Sequence, residues 1–196
     1  MAANRKARRR LVEGAGMPSL KGRLLLVEYE STLYSRCHVL QNHGPRVFRH
    51  NSMAIWHSSF DLDAVNLRGR DCANGHLGIE LIEAGDDYLK GRMPVDQRTR
   101  QPAGVLHGGV SVVLAETLAS WAAAYVVDPT AFHCVGQEVN ANHVRAVESG
   151  WVYGVAKPMH LGRTSHVWDV RIHDEANKLV CVSRVTMAVL ATPNRY

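Results

Sequence analysis

The sequence predicts an α+β domain in which one long apolar helix packs on an antiparallel sheet. Two observations carry this. The segment from Gly109 to Val127 is almost continuously apolar, and strand-like segments separated by short turns flank it on both sides. An apolar helix and a sheet with one apolar face must bury those faces against each other, which gives a two-layer domain. The length of 196 residues suits one such domain, and 46% hydrophobic with 21% charged residues is an ordinary globular composition.

The elements follow in order from Met53. Phe60–Leu67 reads as a short helix and Asp71–Gly75 as a loop. Leu77–Glu83 and Tyr88–Met93, joined at Gly85-Asp86-Asp87, read as a hairpin. A polar loop from Pro94 to Pro102 leads to Gly108-Gly109 and the long helix. After Asp128-Pro129 come Cys134–Val144, Trp151–Pro158, Ser165–His173 and Leu179–Leu190. They are separated by turns at Glu148-Ser149-Gly150, Leu161-Gly162-Arg163 and Asp174–Lys178. Val167, Asp169 and Arg171 alternate with Trp168, Val170 and Ile172, the period of a half-buried strand. Turns this short predict antiparallel neighbours throughout.

Residues 1–52 read differently. They carry ten Lys and Arg against three Asp and Glu, whereas residues 53–196 carry thirteen against fifteen. The net charge of +5 and the pI near 9.2 therefore belong to the first quarter of the chain. No aromatic or glycine-rich pattern accompanies that charge. The segment reads as a basic, flexible extension, or as a leader from an upstream start with Met53 as the true start. It does not read as a nucleic-acid arm. The basic N-terminus lacks the apolar stretch of a signal peptide, because Leu24–Val27 is interrupted by Glu28. The apolar helix carries Glu116 near its middle and lies among strands, which favours a buried helix over a membrane span. Cys37, Cys72, Cys134 and Cys181 form no CxxC pair, and Cys134 and Cys181 lie in apolar runs. A reducing, cytoplasmic protein without disulfides is expected.

The chemistry concentrates at the helix. Glu116 is the one ionisable carboxylate in 19 residues, and no basic residue stands one helical turn away. Buried unpaired, it would cost several kcal/mol. It must find an ion-pair partner outside the helix or sit at a cleft with a function. Just upstream, Gln101-Pro-Ala-Gly-Val-Leu-His107-Gly108-Gly109 puts two glycines at the helix start. Free backbone N–H groups point out there with the positive end of the helix dipole behind them. With Gln101 and His107 beside them, these are the parts of an oxyanion hole. Glu116 lies about 10–12 Å further along the axis. That span suits two subunits with helices side by side, one supplying the donors and the other the acid.

Gln101-Pro-x-Gly-x-x-His107-Gly-Gly followed by Ser111-Val-Val-Leu-Ala-Glu116 resembles the hotdog-fold acyl-CoA thioesterases of the 4-hydroxybenzoyl-CoA/phenylacetate-pathway type. Within these, the chain is most similar to the 1,4-dihydroxy-2-naphthoyl-CoA hydrolases of menaquinone biosynthesis and to thioesterases that proofread aryl carrier proteins in siderophore synthesis. The resemblance runs from Met53-Ala-Ile-Trp56 to Leu190. It includes Met93-Pro-Val-Asp-x-Arg-Thr99, Asn140-Ala-Asn-His-Val-Arg145 and Lys157-Pro-Met-His-Leu-Gly162. It implies an antiparallel sheet wrapped around one helix, in a homodimer or a homotetramer formed from two dimers. It implies that Glu116 attacks the thioester or activates water. Gln101, His107 and the Gly108 amide would polarise the carbonyl, and Ser120 would position water or substrate. It further implies substrate contacts at Trp121, Gly136, His143, Val144, Arg145 and Ala146, and in the turn His160, Leu161, Gly162, Arg163, Thr164 and Ser165. Arg145, Lys157 and Arg163 suit the phosphates of CoA. Trp121 is larger than the residue these relatives carry there and would narrow or flatten the acyl pocket.

The expected reaction is hydrolysis of an aryl- or acyl-CoA thioester without metal or cofactor. The alternatives are misacylated aryl carrier protein as substrate, or binding of acyl-CoA without turnover. A hotdog dehydratase fits the Gln101, His107 and Glu116 set less well. A zinc site is disfavoured because His160, His166 and His173 lack ligand spacing and read as surface strand histidines.

Overall fold

A computed structural model describes residues 54–193; the extension assigned to residues 1–52 lies outside them. Helix α1 (Leu62–Gly69) starts at Asp61, whose carboxylate accepts the Ala64 N–H at 3.0 Å. This side-chain cap satisfies one of the donors a helix start leaves open. Helix α2 (Ala73–Leu77) occupies the segment expected as a loop. Asn74 and Gly75 look like loop residues in sequence, yet a Cβ on Gly75 would lie 1.9 Å from the Arg70 carbonyl oxygen, so the close approach admits only glycine. Gly78 then takes φ +70°, a left-handed helix end that glycine adopts without strain. As a result, strand β1 (Glu80–Ala84) begins three residues later than the sequence suggests.

Strand β2 (Leu89–Pro94) completes the expected hairpin, and α3 (Gly108–Val126) is the long helix. Strands β3 (Phe132–His143), β4 (Trp151–Leu161), β5 (Ser165–Asp174) and β6 (Leu179–Ala191) follow. All six strands form one antiparallel sheet in the order β1-β2-β4-β5-β6-β3. The expected pairing of β3 with β4 is not made. β3 instead pairs with β6 at the far edge. The turn at Glu148-Ser149-Gly150 is only the end of a longer crossing, residues 144–150. That crossing is pinned by Leu106 N–H to the Val147 carbonyl (2.7 Å) and Val95 N–H to the Gly150 carbonyl (2.8 Å), with Val147 buried.

Helix α3 buries Ser111, Leu114, Ala115, Leu118, Ala119, Ala122 and Ala123, a spacing of three and four residues that marks one face. That face lies on the sheet, above Met93, Val152, Trp168, Val170, Val185 and Met187, all fully buried. The helix is long and apolar enough to cross a membrane, but here it is the core helix of the domain. Gly91 and Gly154 are paired directly across β2 and β4, and Leu114 and Leu118 rest on them. Each buried leucine contributes about 1.5–3 kcal/mol. The opposite flank of α3 is only partly covered within one chain. Near its C-terminal end, Phe60 stacks on Tyr125 (3.8 Å between centroids), Trp56 meets Phe60 edge-on, and Trp56 Nε1 donates to the Gly85 carbonyl.

Cys181 is buried, Cys134 is half-buried and Cys72 is exposed, all as free thiols. Burial pushes the Cys134 and Cys181 thiols above their ordinary pKa, which keeps them protonated and unreactive.

Candidate active site

The loop before α3 is held by its own backbone. Gln101 N–H donates to the Val105 carbonyl (2.8 Å), and Gly104 N–H donates back to the Gln101 carbonyl, with Gly104 at φ +82°. His107 N–H donates to the Thr99 carbonyl, and the Thr99 hydroxyl is buried against the Pro94 carbonyl. These bonds deliver His107 to the N-cap of α3, where its Nδ1 accepts the Gly109 N–H at 2.9 Å. His107 therefore caps the helix and fixes its own ring. Gly108 is the first helical residue, and its N–H donates to no atom of the described residues. The His143 ring lies over it: a Cβ on Gly108 would be 2.9 Å from His143 Nε2.

Gln101, Gly108, His143, Val144, Arg145 and Ala146 line one cleft of about 410 Å³, together with Val105, Leu106, Ser111 and Val180. Arg145 is tied there by Nε to the Leu179 carbonyl (3.3 Å). Of the three expected donor residues, Gln101 and Gly108 line this cleft, and His107 precedes Gly108 as the N-cap of α3.

The acid is elsewhere. Glu116 lines a second cleft, of about 390 Å³, with Asn74, Val113, Thr117, Ser120 and Trp121. It is exposed within the chain, so the burial cost expected from the sequence does not arise there. It lies over the β3 backbone at Gly136, where a Cβ would stand 2.5 Å from Glu116 Oε1. The register of β3 against β6 shifts just beyond, between Gly136 and Glu138. Gly136 thus leaves room for the carboxylate. Ser120, one turn on, has its hydroxyl 4.0 Å from Met187 Sδ. Trp121 is held 6.4 Å from Tyr125 between centroids. Glu116 stands eight residues from Gly108, about 12 Å along the helix.

The expected turn His160–Ser165 forms a third region. Gly162 N–H closes it on the Ser165 carbonyl (2.9 Å), and the Thr164 carbonyl accepts Val189 N–H. Leu161, Gly162 and Arg163 line a concavity of about 340 Å³ with Val126, Asp128, Phe132 and His166, while His160 and Thr164 are exposed beside it. His166 does not lie on the surface, where it was expected with His160 and His173; its position in the strand is in phase with Trp168. It is 2% exposed, on the inward face with Trp168, and its Nδ1 has no partner among the described residues. Burial, reinforced by nearby His160, pushes its imidazole pKa down.

One chain therefore gathers the donors, the acid and the β4–β5 turn into three separate concavities. Sequence reasoning missed Asn74 and Thr117 in the acid's cleft. Asn74 falls in the segment expected as loop, and nothing in its neighbours signals that α2 packs beside α3. Thr117 is legible only as the residue next to Glu116.

A single long helix held by a six-stranded antiparallel sheet, with glycines at the helix start and an acid two turns on, defines a hotdog-fold domain. Residues 103–181 match the model of the thioesterase superfamily. The chain is 48% identical over 136 residues to the 1,4-dihydroxy-2-naphthoyl-CoA hydrolase of Escherichia coli, covering 69% of this chain and 99% of that one. It is 46% identical over 136 residues to the proofreading thioesterase EntH of Cronobacter turicensis, covering 69% and 98%. The solved structure of a Haemophilus influenzae thioesterase superposes with a TM-score of 0.70 at 45% identity, covering 72% and 99%. The chain belongs to the thioesterase superfamily and is a thioester hydrolase.

Proposed function

We propose that the protein hydrolyses an aromatic acyl-CoA thioester to the free acid and CoA, at a site built from two subunits. The observation that carries this reading is the division of the parts. Gln101 and the Gly108 N–H, which has no partner among the described residues, line one cleft, and Glu116, about 12 Å further along the helix than Gly108, lines another. The donors polarise the thioester carbonyl and take up its developing negative charge. Glu116 attacks that carbonyl, or takes the proton of an attacking water. In both routes the C–S bond breaks and the thiolate of CoA leaves; in the first, water then hydrolyses the mixed anhydride on Glu116, releasing the free acid and restoring the carboxylate. His107 orients the helix start through its bond to Gly109, and Ser120 lies one turn from Glu116 to position water or substrate.

β3 supports the two-subunit arrangement. It is a 12-residue strand at the edge of the sheet, one side of it unpaired among the described residues, and it carries Gly136 beneath the acid and His143 over Gly108. A second copy pairing along that edge would bring each acid toward its partner's donors, in a homodimer or a homotetramer formed from two such dimers. His143, Arg145 and the His160–Ser165 turn then serve the CoA portion, and Trp121 presents a flat wall to an aromatic acyl group. The proofreading relative supports aryl carrier protein thioesters as a second substrate class for the same chemistry. The reading places the enzyme in the cytoplasm, in an aromatic pathway such as menaquinone biosynthesis, with no cofactor.

Thiol release from a panel of benzoyl-type CoA esters, fatty acyl-CoA esters and aryl carrier protein thioesters tests the reading. Turnover is expected on the aromatic esters. Glu116→Gln is expected to lose at least ~100-fold in kcat while keeping the wild-type melting temperature, a loss typical of removing a positioned acid–base group. Full rate in that variant would remove Glu116 from the chemistry.

A further inference from the structure

Helix α3 buries one polar side chain, and the proposed chemistry leaves it unused. Every other buried residue of the helix is Leu or Ala; Ser111 is the exception, at 1% exposure. The other buried hydroxyls of the described residues find partners within the chain. Ser183 donates to the Asn140 carbonyl at 2.9 Å, and Thr99 to the Pro94 carbonyl at 2.8 Å. Ser111 Oγ makes no hydrogen bond to any atom of the described residues. A serine inside a helix commonly bonds back to the carbonyl four residues before it. Here that carbonyl, of His107, already accepts the N–H groups of Val110 (3.0 Å) and Ser111 (3.1 Å).

The hydroxyl opens on the cleft that holds Gly108. Ser111 lines it together with Gln101 and Gly108. Among the described residues, the side-chain polar atoms sealed from solvent without a partner are His166 Nδ1 and Trp168 Nε1. Ser111 Oγ is not one of them, so the small surface that Ser111 keeps includes its hydroxyl. Ser111 stands three residues after Gly108, on the same side of the helix, where neighbouring positions lie about 5–6 Å apart. Helical side chains lean toward the N-terminus, which tips this hydroxyl toward the turn that begins at Gly108. Much of the remaining lining, Val105, Leu106, Val144, Ala146 and Val180, offers no side-chain acceptor. The Gly108 N–H and the Ser111 O–H are thus two donors of one cleft, both without a partner among the described residues. Stability gives no reason for the second. Alanine would favour the helix more and leave no polar atom unpaired.

We infer that Ser111 is a further catalytic residue, whose hydroxyl donates to the thioester carbonyl oxygen held by the Gly108 N–H. The inference rests on the proposed role of this cleft in polarising the carbonyl, and it extends the donor set beyond Gln101, His107 and Gly108. A hydroxyl hydrogen rotates to suit its acceptor, so it follows the oxygen as the trigonal carbonyl becomes tetrahedral. The bond strengthens as the oxygen gains charge, because hydrogen bonds to ionised acceptors are about twice as strong as neutral ones. Its benefit therefore falls on the transition state more than on the bound substrate.

The test measures kcat and KM by thiol release from benzoyl-type CoA esters, together with melting temperatures, for wild type, Ser111→Ala and Glu116→Gln. Ser111→Ala is expected to lower kcat on the order of 100-fold, the low end for removal of one oxyanion-hole donor, with KM little changed. Its melting temperature is expected to equal or exceed that of wild type, because only an unpaired hydroxyl is lost. A melting temperature that falls along with kcat would assign Ser111 to packing, which overturns the inference. A raised KM at unchanged kcat overturns it as well, since the hydroxyl would then hold substrate and transition state equally. Full rate in Ser111→Ala overturns it too, and the proposed function still stands where Glu116→Gln has lost its rate. A wild type that hydrolyses none of these esters removes both.

Discussion

His166 shows at the scale of one residue how burial turns into pH dependence. Its ring is enclosed by the inner face of β5 and the end of α3, and Asp128, Arg163 and His160 are the ionisable groups around that concavity. Burial holds its pKa below the ordinary value of about 6.5. The unfolded chain therefore binds a proton that the folded chain refuses, between the folded pKa and about 6.5, and stability rises with pH across that window. The contribution of a neutral His166 is complete above about pH 6.5 and is lost as pH falls toward the folded value. His166→Phe removes the titration and the orphaned Nδ1, whose desolvation costs about 1–3 kcal/mol. Melting temperatures at pH 7.5 and 5.5 are expected to differ less in this variant than in wild type, and the variant is expected to match or exceed wild type at pH 5.5. Equal drops in both proteins would show that other histidines govern the acid limb.

Between elements, the critical contact is α3 on the paired glycines of β2 and β4. A Cβ on Gly154 would stand 2.6 Å from Leu118 Cδ1 and 3.5 Å from Leu114 Cδ2, against two leucines with no exposed surface. Forcing a methyl into such a contact costs about 1–3 kcal/mol, because the helix must lift or the leucines must leave their rotamers. Gly154→Ala is expected to lower the melting temperature by several degrees. Moreover, α3 carries Glu116, so thiol release should fall with it; an unchanged melting temperature would mean that the helix seats loosely. The seat itself was only half legible in the sequence. The helix was plain from its apolar run, and its start from Gly108-Gly109. The motif residues before it, from Gln101 to His107, could be read because they are local. The sheet order was not, because the crossing at 144–150 resembles a turn until Val147 is seen buried beneath Leu106. Asn74 stayed hidden for a similar reason: its place at the cleft comes from the packing of α2 against α3, across more than 40 residues of chain.

For the whole molecule, the separated clefts make a prediction that one-subunit and two-subunit sites answer differently. Each symmetric dimer would hold two sites, each taking Gln101 and Gly108 from one subunit and Glu116 from the other. A heterodimer of one Glu116→Gln subunit and one Gln101→Ala subunit then contains one site with both parts intact and one with neither. If the site lay within a single chain, both halves of that heterodimer would be defective. Co-expression with two different affinity tags isolates the mixed dimer from its two parents. Its thiol-release rate is expected at about half that of wild type per dimer, with each homodimer far lower, since the symmetry of an isologous pair leaves one intact site in two. A mixed dimer no faster than the mean of its parents would place donors and acid on one chain. A wild-type protein that runs as a monomer in size-exclusion chromatography with light scattering would do so as well. The result bears directly on the free edge of β3. That strand holds Gly136 under the acid and His143 over the donor, so an intact mixed site means that the two concavities of one chain are halves of two different sites.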